Sequence, residues 1–230
     1  MIFQKNNIRN LAVLALLISG SSLAQNNELG WTMDSALKQL DRQGSDFETV
    51  LADVEIDWVS RDGSTTTDNK GRIYQNADGE VRIQIATPDK RTVLIRRNDV
   101  LLYDPVKAIV EEFSRSKDNR LEVFTVLGFS ITGGDLKRDY LVTFLGEDEI
   151  MDRRVLGLEL TPKSDSDRES VSSIQLWIDQ ASWLPVRQII EHTPSGQSVT
   201  TTYTGTARNL KLNPKLFDDD WPKGTKKVRH

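Results

Sequence analysis

The sequence contains no cysteine and only two histidines among its 230 residues. Without cysteine, no disulfide can form and no acylated cysteine can anchor the chain to a membrane. A metal site would therefore have to use oxygen ligands. The best candidates, Asp165 and Asp167 in KSDSDRES, lack the glycine and the distal glutamate of a calcium loop. We expect no metal and no other cofactor, and a solvated polar loop from Ser164 to Glu169.

Motifs for catalysis are missing as well. A serine hydrolase triad would have to use His192, because His230 is the last residue. His192 precedes the turn sequence Thr193-Pro194-Ser195-Gly196, so we expect an exposed histidine at the end of a strand. The nearest likeness to a nucleophile elbow, Gly128 to Thr132, lacks the closing glycine. The sequence therefore predicts a protein that is not an enzyme.

A long hydrophobic run is also absent, since the apolar stretch Leu11 to Ile18 is about half of the roughly 20 residues that cross a bilayer. It follows Lys5 and Arg9 and precedes Ser22-Leu23-Ala24, which is typical of a secretory signal peptide. We expect residues 1–24 to be removed after Ala24 and residues 25–230 to form a single domain in a bacterial periplasm. No stable membrane insertion is expected.

Acidic residues are in slight excess over basic residues. The formal net charge is −4, and removal of the two basic residues of the signal peptide leaves −6. Such a chain has no general affinity for nucleic acid or for anionic lipid surfaces.

The mature sequence opens with a helical pattern and continues with strand patterns. Met33, Ala36, Leu37 and Leu40 recur at helical spacing. From Phe47 onward the period is two, as in VEIDW and VRIQI, and Asp-Gly pairs between such segments are typical of hairpin turns. Similar turn sequences follow along the chain, and they predict a long antiparallel meander.

Three less regular segments interrupt or end this pattern. We expect a turn from Gly146 to Asp148, and a short apolar helix over Asn119 to Ile131 that packs across a sheet face. The basic ending KGTKKVRH is expected to be a solvated terminus.

Two neighbouring segments predict one continuous apolar surface. In RVLGLELTPKS, Leu156, Leu158 and Leu160 share a strand face, and Pro162 ends the hydrogen-bond ladder. In IQLWID, the apolar residues at positions 174, 176 and 178 share one face and Trp177 lies on the other. Leu184-Pro185-Val186-Arg187 then begins the returning strand.

The combination resembles the LolA-type family of outer-membrane lipoprotein carriers, also called outer-membrane lipoprotein-sorting proteins. The matching pieces are the signal peptide, the early helix, VLIRRNDVLLYDPVKAIVEEF, the LELTPK strand, the LWID and LPVR hairpin, and GTARNLKLNPKLFDDDWPKGTKKV. Within the mature chain they extend from about Met33 to Val228. Family carriers commonly place a basic residue and a proline in the hairpin that here reads IYQNADGEV. No lid-latching arginine can therefore be assigned.

The resemblance implies a mainly β fold with a few helices: an antiparallel, unclosed half-barrel whose helices form a lid over a hydrophobic cavity. The predicted lipid-binding residues that line this cavity are Val54, Ile56, Trp58, Val81, Ile83, Ile85, Leu156, Leu158, Leu160, Ile174 and Leu176. The predicted lid residues are Leu37, Leu40, Leu121, Phe124 and Leu127. Taken singly, alternating apolar residues are more often part of an ordinary core than ligand contacts.

The implied function is that of a monomeric periplasmic carrier, which takes an acylated lipoprotein from an inner-membrane ABC transporter and passes it to an outer-membrane acceptor. The cargo stays open between a lipoprotein, a phospholipid and another acylated molecule. The nearest alternative is a lipid or lipoprotein sensor of the same fold that binds without transferring, because fold alone does not settle function. An envelope hydrolase is the more distant alternative.

Overall fold

The computed structural model describes residues 30–114, 129–193 and 195–230. The predicted first helix is confirmed as α1, Met33–Gly44. Its N-terminus is closed by a reciprocal pair of hydrogen bonds, in which the Ser35 backbone N–H donates to Thr32 Oγ1 at 3.2 Å and the Thr32 N–H donates to Ser35 Oγ at 2.9 Å. These bonds satisfy two donors that a first helical turn leaves free. Leu37 and Leu40 are buried on one face of α1.

A second short helix, α2 (Gly133–Asp139), packs directly on α1. At Gly133 a side chain would have no room, because a Cβ atom would lie 2.9 Å from both the carbonyl carbon and the Cβ of Leu37. The Asp41 carboxylate of α1 accepts a hydrogen bond from the Gly134 N–H at 3.0 Å. Lys137 Nζ of α2 also donates to Asp34 Oδ1 of α1 at 3.4 Å. The two helices are therefore held together by close backbone approach and by charge-assisted hydrogen bonds.

The third helix, α3 (Asp165–Ser170), occupies the segment that the sequence predicts as a loop. It has no buried residue, and an ion pair between Arg168 and Asp165 joins residues three apart on its surface. The helices of the described part of the chain are all too short or too polar to span a membrane.

One sheet of twelve strands dominates the described residues. The strands are β1 Thr49–Val59, β2 Thr65–Asn76, β3 Val81–Thr87, β4 Arg91–Ile95, β5 Asp99–Asp104, β6 Ile109–Ser114, β7 Tyr140–Ile150, β8 Arg153–Pro162, β9 Val171–Asp179, β10 Pro185–His192, β11 Ser198–Arg208 and β12 Lys226–Arg229. Their order across the sheet is β12-β6-β5-β4-β3-β2-β1-β11-β10-β9-β8-β7.

This order describes two antiparallel meanders, β1 to β6 and β7 to β11, which are joined where β1 pairs with β11. The end strands β7 and β12 are not neighbours, so the sheet is unclosed. The predicted mainly β, antiparallel half-barrel with a few helices is therefore confirmed. A tight bend accompanies Gly71 of β2, where the ladder shifts register and a Cβ atom would lie 3.0 Å from the backbone of Ile85 on β3.

The basic ending is exposed, as expected of a solvated terminus, but its residues 226–229 form a strand. β12 pairs in parallel with β6, from Lys226 opposite Ile109 onward. The Glu112 carboxylate of β6 lies 2.9 Å from Lys227 Nζ and 3.2 Å from Arg229 Nε. Opposite charges on the two strands thus bring the last residues of the chain onto the sheet edge.

The turn expected from Gly146 to Asp148 is also wrong, because these residues continue β7. The ladder shifts register between Phe144 and Gly146, and Gly146 has a φ of +100°. Glycine here permits a β-bulge and not a chain reversal. The reversal occurs at Met151 and Asp152, which both adopt positive φ.

Candidate functional site

The inner face of the sheet, defined here as the face on which α1 and Phe129 pack, is continuous across the junction of the two meanders. Strand pairing aligns one row of residues from β8 to β1, namely Leu158, Leu176, Gln188, Thr201 and Ile56. Directly paired residues of neighbouring strands lie on the same face. Apolar residues of both meanders therefore belong to one surface.

The first apolar cluster on this face lies under the two helices. Its buried members are Ala36, Leu37, Leu40, Leu136, Leu156, Leu158, Leu160, Val171, Ile174, Leu176, Ile178, Trp183 and Ile190. Leu37 and Leu40 come from α1 and Leu136 from α2, so the helices cover the leucine-rich faces of β8 and β9. Each such side chain contributes about 1.5–3 kcal/mol on burial, which makes this cluster the stable part of the inner face.

The second apolar cluster is covered differently. Its buried members are Val50, Ala52, Val54, Ile73, Val81, Ile83, Val93, Ile95, Val100, Phe129, Leu184 and Tyr203, and Phe47, Ile56, Ile85 and Leu102 are only partly buried against it. Within the described ranges, none of its members belongs to a helix. Apolar side chains on β1, β3 and β5 thus keep part of their surface available; the partly buried residues of the first cluster lie on or beside α1, on β7 and next to α2.

Phe129 and Ser130 cross the inner face and touch both sides of the β1–β11 junction. The Phe129 ring meets the Tyr203 ring of β11 edge to face, with centroids 5.0 Å apart and planes at 79°. Gln75 Nε2 of β2 donates a hydrogen bond to Ser130 Oγ at 2.8 Å. These residues were expected at the end of an apolar helix, but residues 129–131 are not helical. The segment binds the sheet through one aromatic contact and one neutral hydrogen bond.

A strip of polar side chains separates the two apolar clusters. Gln188 on β10 and Thr201 on β11 are directly paired, and Tyr203 follows Thr201 on the same face. All three are buried, and Tyr203 has no exposed surface. This strip was not predicted from the sequence. The available signal was the run TTTYTGT in β11, which places polar residues on both faces of a central strand.

The structure distributes the predicted lining residues over both clusters. Leu156, Leu158, Leu160, Ile174 and Leu176 belong to the first cluster, under α1 and α2; Val54, Val81 and Ile83 are buried in the second, with Ile56 and Ile85 partly buried at its margin. Of the predicted lid residues, Leu37 and Leu40 contact the first cluster. Leu121, Phe124 and Leu127 lie outside the described residues.

Trp58 lies at the end of β1 and explains the environment of His192. The two rings are nearly parallel, with an interplanar angle of 14° and centroids 6.4 Å apart. His192 Nδ1 is 3.3 Å from the Ser170 carbonyl oxygen. Burial lowers the pKa of His192 below its ordinary value. The expected exposed histidine is therefore half-buried, because a tryptophan two strands away covers it.

Along β1, the acidic side chains lie on the outer face of the sheet and apolar side chains lie on the inner face. The inward positions Val50, Ala52, Val54, Ile56 and Trp58 alternate with outward carboxylates. On the outer face Asp53 pairs with Arg72 at 2.8 Å and Glu55 with Lys70 at 2.9 Å. Among the described residues, no group of three or more acidic or histidine side chains could hold a metal ion. The arrangement suits an apolar ligand better than a charged one.

The outer face has apolar clusters of its own. Trp177 of β9 lies across Gly157 of β8, packed with Val155 and Val186. A Cβ atom at Gly157 would come within 2.5–2.9 Å of three atoms of the indole ring. Further along the sheet, the Tyr103 and Trp221 rings pack together with centroids 4.8 Å apart and planes tilted by 31°. The predicted placement of Trp177 opposite the leucine-rich face is confirmed.

Comparison with known proteins identifies the fold. The sequence model of the family described as outer membrane lipoprotein carrier protein LolA matches residues 45–220. A search of curated protein sequences found no match.

Solved structures resemble the chain at low sequence identity. An uncharacterized conserved protein from Thermus thermophilus superimposes with a TM-score of 0.56 at 11% identity, over 86% of this chain and 100% of that one. A LolA superfamily protein from Nitrosomonas europaea gives 0.44 at 18% identity, over 82% and 98%. The lipoprotein LppX from Mycobacterium tuberculosis gives 0.47 at 14%, over 79% and 99%.

Proposed function

Since the chain belongs to the LolA family of outer membrane lipoprotein carrier proteins, we propose that it binds the acyl chains of lipoproteins on the inner face of its half-barrel and carries them from the inner to the outer membrane. The observation that supports this most is the second apolar cluster, where Ile56, Ile85 and Leu102 are only partly buried although they adjoin a buried core. An acyl chain would complete their burial.

The energetics favour a covered face over an open groove. Burial of an acyl chain contributes about 0.8 kcal/mol per methylene, so two or three long chains represent on the order of 20–40 kcal/mol of gross transfer free energy. Observed affinities saturate near −20 kcal/mol, and a carrier at that limit would release its cargo very slowly. Phe129 already occupies the second cluster. Cargo that must displace Phe129 binds less tightly, which permits release.

The proposal includes a cellular route. Residues 1–24 direct export and are removed after Ala24, and the remaining chain works in the periplasm as a monomer. The partners are an acylated lipoprotein, an inner-membrane ABC transporter that supplies it and an outer-membrane acceptor that receives it. The predicted lining residues of both clusters contact the chains, and α1 with the Phe129 segment acts as the lid.

A second candidate is a lipid or lipoprotein sensor that holds acyl groups without passing them on. The observation in its favour is the hydrogen bond between Gln75, near the end of β2, and Ser130, which crosses the inner face. A neutral hydrogen bond of this kind contributes about 0.5–1.5 kcal/mol and gives no charge-based latch.

A charge placed on one face at a time tests where cargo binds. Ile85→Glu would put a carboxylate among the inward apolar residues of β3, whereas Gln84→Glu adds the same charge to the outward face of the same strand. We expect Ile85→Glu to weaken binding of a fluorescent acylated peptide to delipidated protein at least tenfold, because an acyl chain cannot solvate a carboxylate. Gln84→Glu should bind as the wild type does.

Equal binding by both variants would place the cargo elsewhere. To distinguish a carrier from a sensor, the wild type is loaded with the acylated peptide and mixed with outer-membrane-like vesicles that contain the acceptor. Transfer to the vesicles supports the carrier, and retention supports the sensor. Native mass spectrometry of protein purified from periplasm without detergent identifies the cargo as a lipoprotein or a phospholipid.

A further inference from the structure

The Tyr203 hydroxyl, like Gln75 Oε1 on the same face, is buried without a hydrogen-bond partner among the described residues, and of these two atoms only the hydroxyl can donate. The side chain is fully buried, and it lies opposite Val54 of β1 and against the edge of the Phe129 ring. Every group that these contacts supply is apolar. The hydroxyl therefore sits inside the second apolar cluster with nothing to accept its proton.

Such a group is costly. Leaving a buried polar atom without a partner costs about 1–3 kcal/mol, and the large majority of buried side-chain polar atoms have a partner. Phenylalanine would fill the same volume without that cost. The neighbouring positions on this face are polar as well, since Thr201 and its paired residue Gln188 are buried beside it. Of these three polar residues Tyr203 is the one with an unpartnered polar atom among the described residues, and that hydroxyl points to a ligand with a polar atom at that depth.

We propose that the Tyr203 hydroxyl donates a hydrogen bond to the ester or amide carbonyl of a bound acyl chain, and that this bond fixes where the head of the chain lies on the inner face. The inference rests on the proposed binding of acyl cargo and adds a specific contact to it. A hydrocarbon tail carries no acceptor, whereas the carbonyl at its head does.

The surroundings fit this role. Burial raises the pKa of Tyr203, so its hydroxyl stays protonated and remains a donor at every physiological pH. The strip lies between the first and second apolar clusters. A carbonyl held there leaves tails free to run to either side, over β8 and β9 or over β1 to β5. Phe129, which now touches the ring, is the residue that the head of the cargo would displace.

Two fluorescent probes of equal chain length test the bond, one with its sixteen-carbon chain attached through an amide and one through a carbon–carbon bond that has no acceptor atom. For Tyr203→Phe we expect the amide probe to bind about three- to tenfold more weakly, the loss typical of one neutral hydrogen bond. The all-carbon probe should bind within twofold of its wild-type affinity. Tyr103→Phe, on the outer face, is the matched control and should change neither affinity.

An equal change for the two probes, or no change for either, would overturn the inference while the acyl-binding function stands. Failure of the wild type to bind either probe would instead remove the proposed function and the inference with it. Urea unfolding of Tyr203→Phe checks that the variant folds. If it does not, infrared spectra of an isotope-labelled carbonyl on the bound amide probe decide: a shift to lower frequency than in hexane supports the bond, and an unshifted band refutes it.

Discussion

Replacing Gly133 by alanine should force α2 away from α1. The new methyl group would lie 2.9 Å from two carbon atoms of Leu37, where an unstrained contact needs about 3.5–4 Å, so the helices must separate by close to 1 Å. Overpacking of this kind costs about 1–3 kcal/mol. A cost of about 2 kcal/mol corresponds to a melting temperature roughly 4–8 °C lower for a domain of this size. Thermal and urea unfolding measure the change.

Gly134→Ala is the control for Gly133→Ala, and its expected effect on stability has the opposite sign. At Gly134 a Cβ atom would meet only Thr132 Oγ1 at 3.6 Å and Asp41 Oδ1 at 3.9 Å, which are ordinary contacts. Alanine is a better helix former than glycine by up to about 1 kcal/mol, so Gly134→Ala should leave the melting temperature unchanged or raise it. If the two variants lose the same stability, the close contact between α1 and α2 is refuted. The same holds if Gly133→Ala unfolds at the wild-type midpoint.

Three further outcomes follow from contacts described above. Gly157→Ala should lower the free energy of unfolding by about 1–3 kcal/mol, and adding Trp177→Leu to that variant should recover part of the loss. If the effects of the two substitutions on urea unfolding are strictly additive, the packing of the indole on Gly157 is contradicted. Hydrogen bonds from Lys227 and then from Arg229 lower the pKa of Glu112. The ionised carboxylate therefore stabilises β12 above the ordinary pKa of 4.5, and this contribution is lost as the pH falls below that value. Hydrogen-exchange protection of residues 226–229 should drop at this low pH in the wild type, whereas Glu112→Gln should show no such drop. Burial lowers the pKa of His192, so stability should fall as pH decreases below its ordinary value of 6.5; a His192→Gln variant with the same pH slope would argue against this.

Local patterns predicted the strands and the first helix because each depends on residues close in sequence. The alternation in VEIDW, VRIQI and LELTPK is that of half-buried strands, and Leu37 and Leu40 mark one face of a helix. The bulge at Gly146 was missed because glycine followed by two acidic residues serves a turn and a bulge equally well.

Long-range features could not be read in the same way. The parallel strand β12 depends on carboxylates of β6 that precede it by more than 100 residues. The polar strip depends on which face of β11 points inward, and the register with β1 shifts at Thr204 of β11, which has no partner between the pairs Asp53–Gly205 and Val54–Tyr203. Threonine favours strands on either face, so the sequence TTTYTGT alone does not show that Tyr203 is buried beside Gln188.

The junction of β1 with β11 has a consequence for the order of folding. Val50 pairs with Arg208, 158 residues later, whereas β1 and β2 form a local hairpin. At a synthesis rate of about 5–20 residues per second, roughly 8–30 s pass before β11 exists at all. During that time the second edge of β1 has no native partner. The middle of the finished sheet therefore cannot close until β11 has been made, and contacts of this sequence separation are typical of slow folders.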